Sequence, residues 1–170
     1  MKEAFGDSKL NLIAKIEDQQ GVDNIVDIIN YSDGIMIARG DLGSELPLEK
    51  LPRLQKQIIH KCNQMAKPVI LATNLLESMT VNIFPTRAEV TDVANGVMEG
   101  TDCLTTSGET AQGKYPIESV EMLDKIAKET EQYLEPMFIS QTYDESNDLS
   151  LFPAQAIYES AMDPEVDKIL

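Results

Sequence analysis

The chain has 170 residues, of which 42% are hydrophobic and 25% are charged, a composition typical of a soluble globular domain. Its 14 Lys and Arg against 29 Asp and Glu give a net charge of −15, which argues against nucleic acid or an anionic membrane surface as a partner. A phosphorylated substrate stays compatible with this charge, because one bound divalent cation reverses the local sign.

Four short apolar runs predict four β-strands. In chain order they cover residues 12–16, 34–38, 69–72 and 102–106. Each run is continuous rather than alternating, which is typical of parallel strands that are covered on both faces.

The segments between and after these runs carry apolar residues at helical spacing. They predict helices over residues 22–30, 48–65 and 86–98, and a fourth that begins at Pro116. Thr86, with Glu89 three residues later, predicts a capping box, and Gly100 closes the same helix. Strands alternating with helices predict an α/β fold with a parallel sheet and right-handed connections.

The first strand ends in a charged pair, Lys15 and Glu17. Residues two apart in a strand share a face, so both side chains should point the same way. In parallel α/β folds the carboxyl ends of the strands carry the chemistry, which favours a functional role. A plain ion pair between the two is the structural alternative.

The second strand runs into Arg39, Gly40 and Asp41. Alternation predicts that Asp41 shares a face with Ile37 and Arg39 and lies on a strand end adjacent to that of Glu17. Gly40 lets a ligand approach the backbone, although a tight turn with an N-cap explains the same residues. Two carboxylates with open positions suit Mg²⁺ or Mn²⁺.

The third and fourth strands are followed by hydroxyl groups. Thr73 offers a donor to a carboxylate or, alternatively, satisfies the backbone at the strand end. Ser107 and Gly108 lie at a strand-to-helix turn of the kind that cradles phosphate. A divalent cation on Glu17 and Asp41, with Lys15 nearby, would stabilise an enolate or a transferring phosphoryl group.

The two cysteines and the lone histidine carry no motif. Cys62 and Cys103 fit no zinc spacing and are predicted to be two buried free thiols of a reducing, cytoplasmic environment. His60 lies within a helical pattern, which favours a surface or packing role over a catalytic one. No apolar run approaches the length of a membrane span, and no secretory signal is visible.

The strand-end segments together resemble the pyruvate kinase family over about residues 9–135. The matching stretches are Ala14–Glu17, Ser32–Gly43, Lys67–Ile70 through Glu77–Met79, Pro85–Glu89 and Ser107–Ala111. Their order and spacing match as well. Two departures are Asn74, where the family usually has Gln, and Thr105–Thr106 in place of a more apolar pair.

This resemblance implies transfer of a phosphoryl group from phosphoenolpyruvate to ADP, giving pyruvate and ATP in glycolysis. It implies that Glu17 and Asp41 hold Mg²⁺ or Mn²⁺, and that Lys15 stabilises charge on the phosphoryl group and the enolate. The backbone at Gly40 and Asp41, with the Thr73 hydroxyl, would receive the substrate carboxylate. Arg39 and Ser107 are weaker candidates.

The resemblance also implies an architecture, a partial TIM (β/α)8 barrel of about four βα units with parallel strands. Residues 1–135 would be half of the catalytic barrel, residues 136–152 a linker, and residues 153–170 the first helix of a truncated C-terminal domain. Only the last four of the family's eight units match, and its potassium site has no counterpart here. We therefore expect negligible turnover from the chain alone, because positioning supplies most of phosphoryl-transfer catalysis.

Two alternatives stay open at this point. One is a Mg²⁺-dependent lyase or aldolase of the phosphoenolpyruvate/oxaloacetate barrel group, which shares the Glu-then-Gly-x-Asp-Leu pattern. The other is a non-catalytic half-barrel used for assembly. Four strands cannot close a barrel, so two copies could form a homo-oligomer through the open edges at 11–16 and 102–106.

Overall fold

The computed structural model describes residues 10–134, in which four parallel strands form one sheet in the order β1-β2-β3-β4. Their bounds are Ile13–Ile16 (β1), Gly34–Ala38 (β2), Val69–Ala72 (β3) and Cys103–Thr105 (β4). All four predicted strands are confirmed, as is the parallel α/β architecture. The linker predicted at 136–152 and the helix predicted within 153–170 lie outside the described residues.

Seven α-helices connect or follow these strands within the described residues: Gln19–Asp23 (α1), Ile25–Tyr31 (α2), Arg39–Glu45 (α3), Leu51–Gln64 (α4), Arg87–Met98 (α5), Gly108–Ala111 (α6) and Pro116–Glu131 (α7). Two short 3-10 helices cover Leu48–Lys50 and Glu77–Thr80. The helix predicted over 22–30 is broken at Asn24 into α1 and α2. The helix α3 was not predicted, because Gly40 and Gly43 suppressed its helical signal.

The start of α5 follows its sequence signature closely. The Thr86 hydroxyl accepts the Glu89 N–H at 3.2 Å, while the Glu89 carboxylate accepts the Thr86 N–H at 2.7 Å. This reciprocal pair is the predicted capping box. Gly100 follows the helix with φ 88°, a conformation that glycine adopts without steric cost.

One face of the sheet forms the core with the helices. Ile16, Ile37 and Leu71 lie side by side in register and are at most 1% exposed. The opposite face carries Lys15 and Cys103, both exposed. The expectation that both faces are covered is therefore wrong for the described residues, because helices pack on one face only.

The positions of the cysteines and the histidine follow from this layering. Cys62 lies on the buried side of α4, where burial and the nearby Asp102 charge raise the pKa of its thiol to about 11. Cys103 is exposed, so the prediction of two buried thiols is wrong for Cys103, which sits on the uncovered face of the edge strand β4. His60 is exposed, which confirms a surface role. No helix in the described part of the chain is long and apolar enough to cross a membrane.

Candidate functional site

The carboxyl ends of β1, β2 and β3 meet at one edge of the sheet. The register pairs Ile16 with Ile37 and Ala38 with Ala72, so the residues that follow each strand emerge side by side. Lys15 and Glu17 come from the first strand end, Gly40 and Asp41 from the second, and Thr73 from the third. These five predicted site residues therefore lie at one edge of the sheet, whereas the weaker candidates Arg39 and Ser107 are exceptions treated below.

The centre of this edge is an ammonium group between two carboxylates. Lys15 Nζ lies 2.6 Å from Glu17 Oε2 and 2.8 Å from Asp41 Oδ2. All three side chains are about half exposed, so the group is open to small ligands. Hydrogen bonds to Asp41 and then Glu17 raise the pKa of Lys15, which keeps the ammonium charged at neutral pH.

Asp41 reaches this centre by a different route from the predicted one. Strand alternation would place it on the face of Ile37, which is buried against the helices. The strand instead ends at Ala38, and the first turn of α3 places the Asp41 side chain beside Lys15. Arg39, which does follow the parity of Ile37, points to the helical side and pairs with Asp92.

Gly40 and Thr73 touch each other directly. The Gly40 N–H donates to Thr73 Oγ1 at 2.7 Å, and the Thr73 hydroxyl donates to the Ala72 carbonyl at 2.6 Å. A Cβ on Gly40 would lie only 3.3 Å from Thr73 Oγ1, so the small residue permits this close approach. The structure thus brings the two groups that were predicted to receive a carboxylate into contact with each other, and the hydrogen bond that the Thr73 hydroxyl donates here is that of its alternative role, to the backbone.

The donor set at this centre suits a hard divalent cation. Two carboxylate oxygens approach one positive charge from two strand ends, and their half-exposed position leaves room for water and substrate oxygens. Across residues 10–134 there is no cluster of three or more His, Cys, Asp or Glu that would form a complete protein cage. Mg²⁺ fits such an open site, since it usually takes one or two carboxylates and fills its shell from substrate and water.

Ser107 forms its hydrogen bonds with residues outside this centre. It follows β4, and its backbone N–H donates to Glu109 Oε2 at 2.8 Å. The other carboxylate oxygen of Glu109 accepts the Leu76 N–H at 3.0 Å. Glu109 is fully buried, so this carboxylate ties the segment after β3 to the turn after β4. The Ser107 N–H is therefore occupied by a buried carboxylate of the protein itself.

Sequence reasoning missed the polar cluster around Arg39. Its guanidinium contacts Gln55 of α4 and Asp92 of α5, and Gln55 Nε2 donates to Glu99 Oε2 at 2.8 Å. Gln55 and Asp92 have no motif of their own and stand among ordinary helical polar residues. The one available signal was the strand parity of Arg39, which points an arginine into the helical layer.

Comparisons with known proteins agree on one family. The family model described as pyruvate kinase, barrel domain, matches residues 2–120. A pyruvate kinase of Thermococcus litoralis is 60% identical over 132 residues, which are 78% of this chain and 28% of the relative. One of Sporosarcina psychrophila is 59% identical over 124 residues, 73% of this chain and 21% of the relative.

A pyruvate kinase of the more distant Trypanoplasma borreli is 49% identical over 162 residues, 95% of this chain and 32% of the relative. The chain therefore spans between 21% and 32% of the length of these three relatives. The matches agree with the family suggested by the strand-end motifs.

Proposed function

The chain belongs to the pyruvate kinase family, and from this premise we propose that it supplies the metal and substrate-carboxylate part of a phosphoryl-transfer site. The reaction is the transfer of a phosphoryl group from phosphoenolpyruvate to ADP, which gives pyruvate and ATP in cytoplasmic glycolysis. The observation that carries this proposal is the Lys15 ammonium, held within 2.8 Å of both Glu17 and Asp41 beside the Gly40–Thr73 contact.

Glu17 and Asp41 would hold Mg²⁺ or Mn²⁺. When bound, the cation supplies the positive charge that a phosphorylated carboxylic acid needs in order to enter a chain of net charge −15. We assign no residue of this chain to the potassium ion that the family uses.

Lys15 and the Gly40–Thr73 pair would act on the two ends of the substrate. Lys15 presents a fixed positive charge to the enolate and the transferring phosphoryl group, since its pKa is raised. The Asp41 N–H, and the Thr73 hydroxyl once it turns about its C–O bond away from the Ala72 carbonyl, would donate to the substrate carboxylate, while the Gly40 N–H would keep Thr73 Oγ1 in place. ADP and ATP contacts would come mainly from barrel units other than the four described.

The same premise bears on the alternatives. The matched relatives are named pyruvate kinase, so a lyase or aldolase of the phosphoenolpyruvate/oxaloacetate group is not favoured. Four units carry only part of the clamps that position both substrates. We therefore expect the chain alone to have negligible activity.

A chimeric enzyme tests this function. In the Thermococcus litoralis pyruvate kinase, the segment that matches residues 10–134 is replaced by those residues. ADP-dependent pyruvate formation is then followed in a coupled assay. We expect the chimera to turn over, and E17Q and D41N to lower kcat/KM by about 100-fold or more, because each removes charge stabilisation at the reacting phosphate.

The matched control is E129Q, which removes one exposed carboxylate from α7, away from the strand ends. Its kcat/KM should equal that of the unmodified chimera. A chimera whose E17Q and E129Q forms are equally active would contradict the proposed role of the site. Retro-aldol activity on a 2-keto acid without phosphoryl transfer would favour the lyase alternative.

A further inference from the structure

The turn after β3 has an unusual backbone. Thr73 and Asn74 have φ values of 72° and 55°, so two successive residues with side chains lie in the left-handed region. This region is costly for β-branched residues such as threonine. Such a conformation persists only where surrounding contacts hold it.

Arg39 makes those contacts from the neighbouring strand end. Its Nε and Nη2 donate to the Thr73 carbonyl at 3.2 and 2.9 Å, and Nη2 also donates to the Asn74 carbonyl at 3.0 Å. The arginine side chain is only 11% exposed. Both carbonyls of the strained turn therefore face one fixed fork of donors, a geometry that lysine cannot reproduce.

The other side of the guanidinium is anchored to the helices. Its Nη1 lies 2.7 Å from Asp92 Oδ2 and donates to Gln55 Oε1 at 3.3 Å. Asp92 and Gln55 belong to α5 and α4, which pack on the buried face of the sheet. The Arg39 side chain thus links the turn to α4 and α5, in addition to the bond from the Gly40 N–H to Thr73 Oγ1.

We propose that Arg39 is a positioning residue, which holds the Thr73–Asn74 turn left-handed and thereby keeps the Thr73 hydroxyl against the Gly40 amide at the carboxylate end of the site. This inference rests on the proposed function for its ligand, the substrate carboxylate. Arg39 itself touches neither the metal carboxylates nor the reacting groups. It acts through the backbone of Thr73.

The test uses the 170-residue chain and R39K, which keeps the charge and loses the fork. NMR reports the Gly40 amide proton shift and the Thr73 and Asn74 α- and β-carbon shifts, which depend on φ. Titrations report Mn²⁺ affinity and, with Mg²⁺ present, pyruvate affinity. R39K should shift the Gly40 and Thr73 signals and weaken pyruvate binding by about tenfold, because hydrogen bonds to a carboxylate are lost.

Mn²⁺ affinity should stay unchanged in R39K, since Glu17 and Asp41 are untouched. A merely structural role would lower both affinities together, and that result would overturn the inference. Unchanged Gly40 and Thr73 signals in R39K would overturn it as well. The matched control is R53K on α4, whose exposed guanidinium bonds only to Gln57 among the contacts of the described residues, at 2.9 Å. It should move none of these readouts.

If R39K does not fold, a second variant, D92N, tests the same inference. D92N keeps the three bonds from Arg39 to the carbonyls and weakens their anchor, so the Gly40 and Thr73 signals should shift in the same direction by less. Unchanged signals in D92N would then overturn the inference. If the unmodified chain binds neither Mn²⁺ nor pyruvate, the proposed function fails, while the NMR signals still decide the role of Arg39.

Discussion

Lys15 competes with any added cation for the two carboxylates beside it. Its ammonium is within hydrogen-bonding distance of both, and its raised pKa keeps it protonated throughout the neutral range. Metal binding at Glu17 and Asp41 must therefore displace or share these ion pairs. Catalysis, by contrast, would need the same ammonium close to the substrate.

One variant, K15M, distinguishes these two roles, because they predict opposite effects on metal affinity and on turnover. K15M should raise the affinity of the chain for Mn²⁺ by about twofold to fivefold, since the competing ammonium is removed and exposed ion pairs are weak. In the chimeric enzyme the same change should lower kcat by about 100- to 1,000-fold through lost stabilisation of developing charge. Mn²⁺ titration and the coupled assay measure the two effects.

The control for this variant is K125M on α7. The Lys125 Nζ lies 4.0 Å from Glu121 Oε2, and the lysine side chain is 70% exposed. It should change neither readout. Weaker Mn²⁺ binding in K15M would contradict the competition, and a chimera unaffected by K15M would contradict the catalytic role.

At the level of single residues, sequence patterns predicted some of the side-chain contacts of the site and missed others. Lys15 and Glu17 were predicted together by strand alternation, and they lie in contact. Asp41 was predicted beside them, yet its side chain arrives there through a helical turn that its glycine neighbours concealed. Alternation held for Arg39, whose partners Gln55 and Asp92 are 16 and 53 positions away and leave no local signal.

Among the elements, the start of α5 is held by one carboxylate, that of Glu89. Glu89 accepts four hydrogen bonds, two from Ser78 and two from Thr86, and so joins the 3-10 helix Glu77–Thr80 to the helix start. Partial burial alone would raise the pKa of Glu89, but these hydrogen bonds hold it below the usual value of 4.5. A lowered folded-state pKa stabilises the fold above the unfolded-state value, and this contribution is lost as pH falls through the folded-state value.

E89Q should therefore destabilise the chain by about 1–3 kcal/mol at pH 7, because charged acceptors are lost. The difference between E89Q and the unmodified chain should begin to shrink below about pH 4.5, where Glu89 of the unfolded chain becomes protonated, and should disappear as the pH falls through the lowered folded-state pKa. Urea denaturation followed by circular dichroism, repeated from pH 7 to pH 3.5, measures both.

The matched control is E118Q, at the corresponding third position of α7, where no side-chain cap is formed. It should cost no more than about 0.5 kcal/mol, the size of an exposed helix-dipole effect. If E89Q and E118Q are equally destabilising, or if the E89Q difference is the same at every pH, the capping account is wrong.

Elements with a continuous apolar run or a clear helical pattern were predicted, and the short helices α3 and α6 were not. The apolar runs and the Thr86–Glu89 signature identified all four strands and α5. The four-residue helix α6 has too few residues for a period, and its Glu109 is buried through contacts with Leu76, 33 positions away. Such elements form because tertiary contacts select them, which a local pattern does not record.

At the scale of the whole described unit, helices cover one face of the sheet, while the other face carries the exposed Lys15 and Cys103 beside the half-buried Met36 and Ile70. Parallel sheets normally have both faces covered, and the interior of a closed (β/α)8 barrel covers the second face with the other strands. In the described residues β1 and β4 are edge strands. That two copies of the chain pair through these edges stays a prediction.

The proposed function requires that the strand ends form a divalent-cation site. The most direct measurement is Mn²⁺ binding to the 170-residue chain, followed by the electron paramagnetic resonance signal of free Mn²⁺. E17Q and D41N should each weaken binding by at least about tenfold, since even outer-shell partners of a metal are worth about 10- to 100-fold. E129Q, with the same change in net charge, should bind within about twofold of the unmodified chain. Equal Mn²⁺ affinity in E17Q, D41N and E129Q would contradict the account.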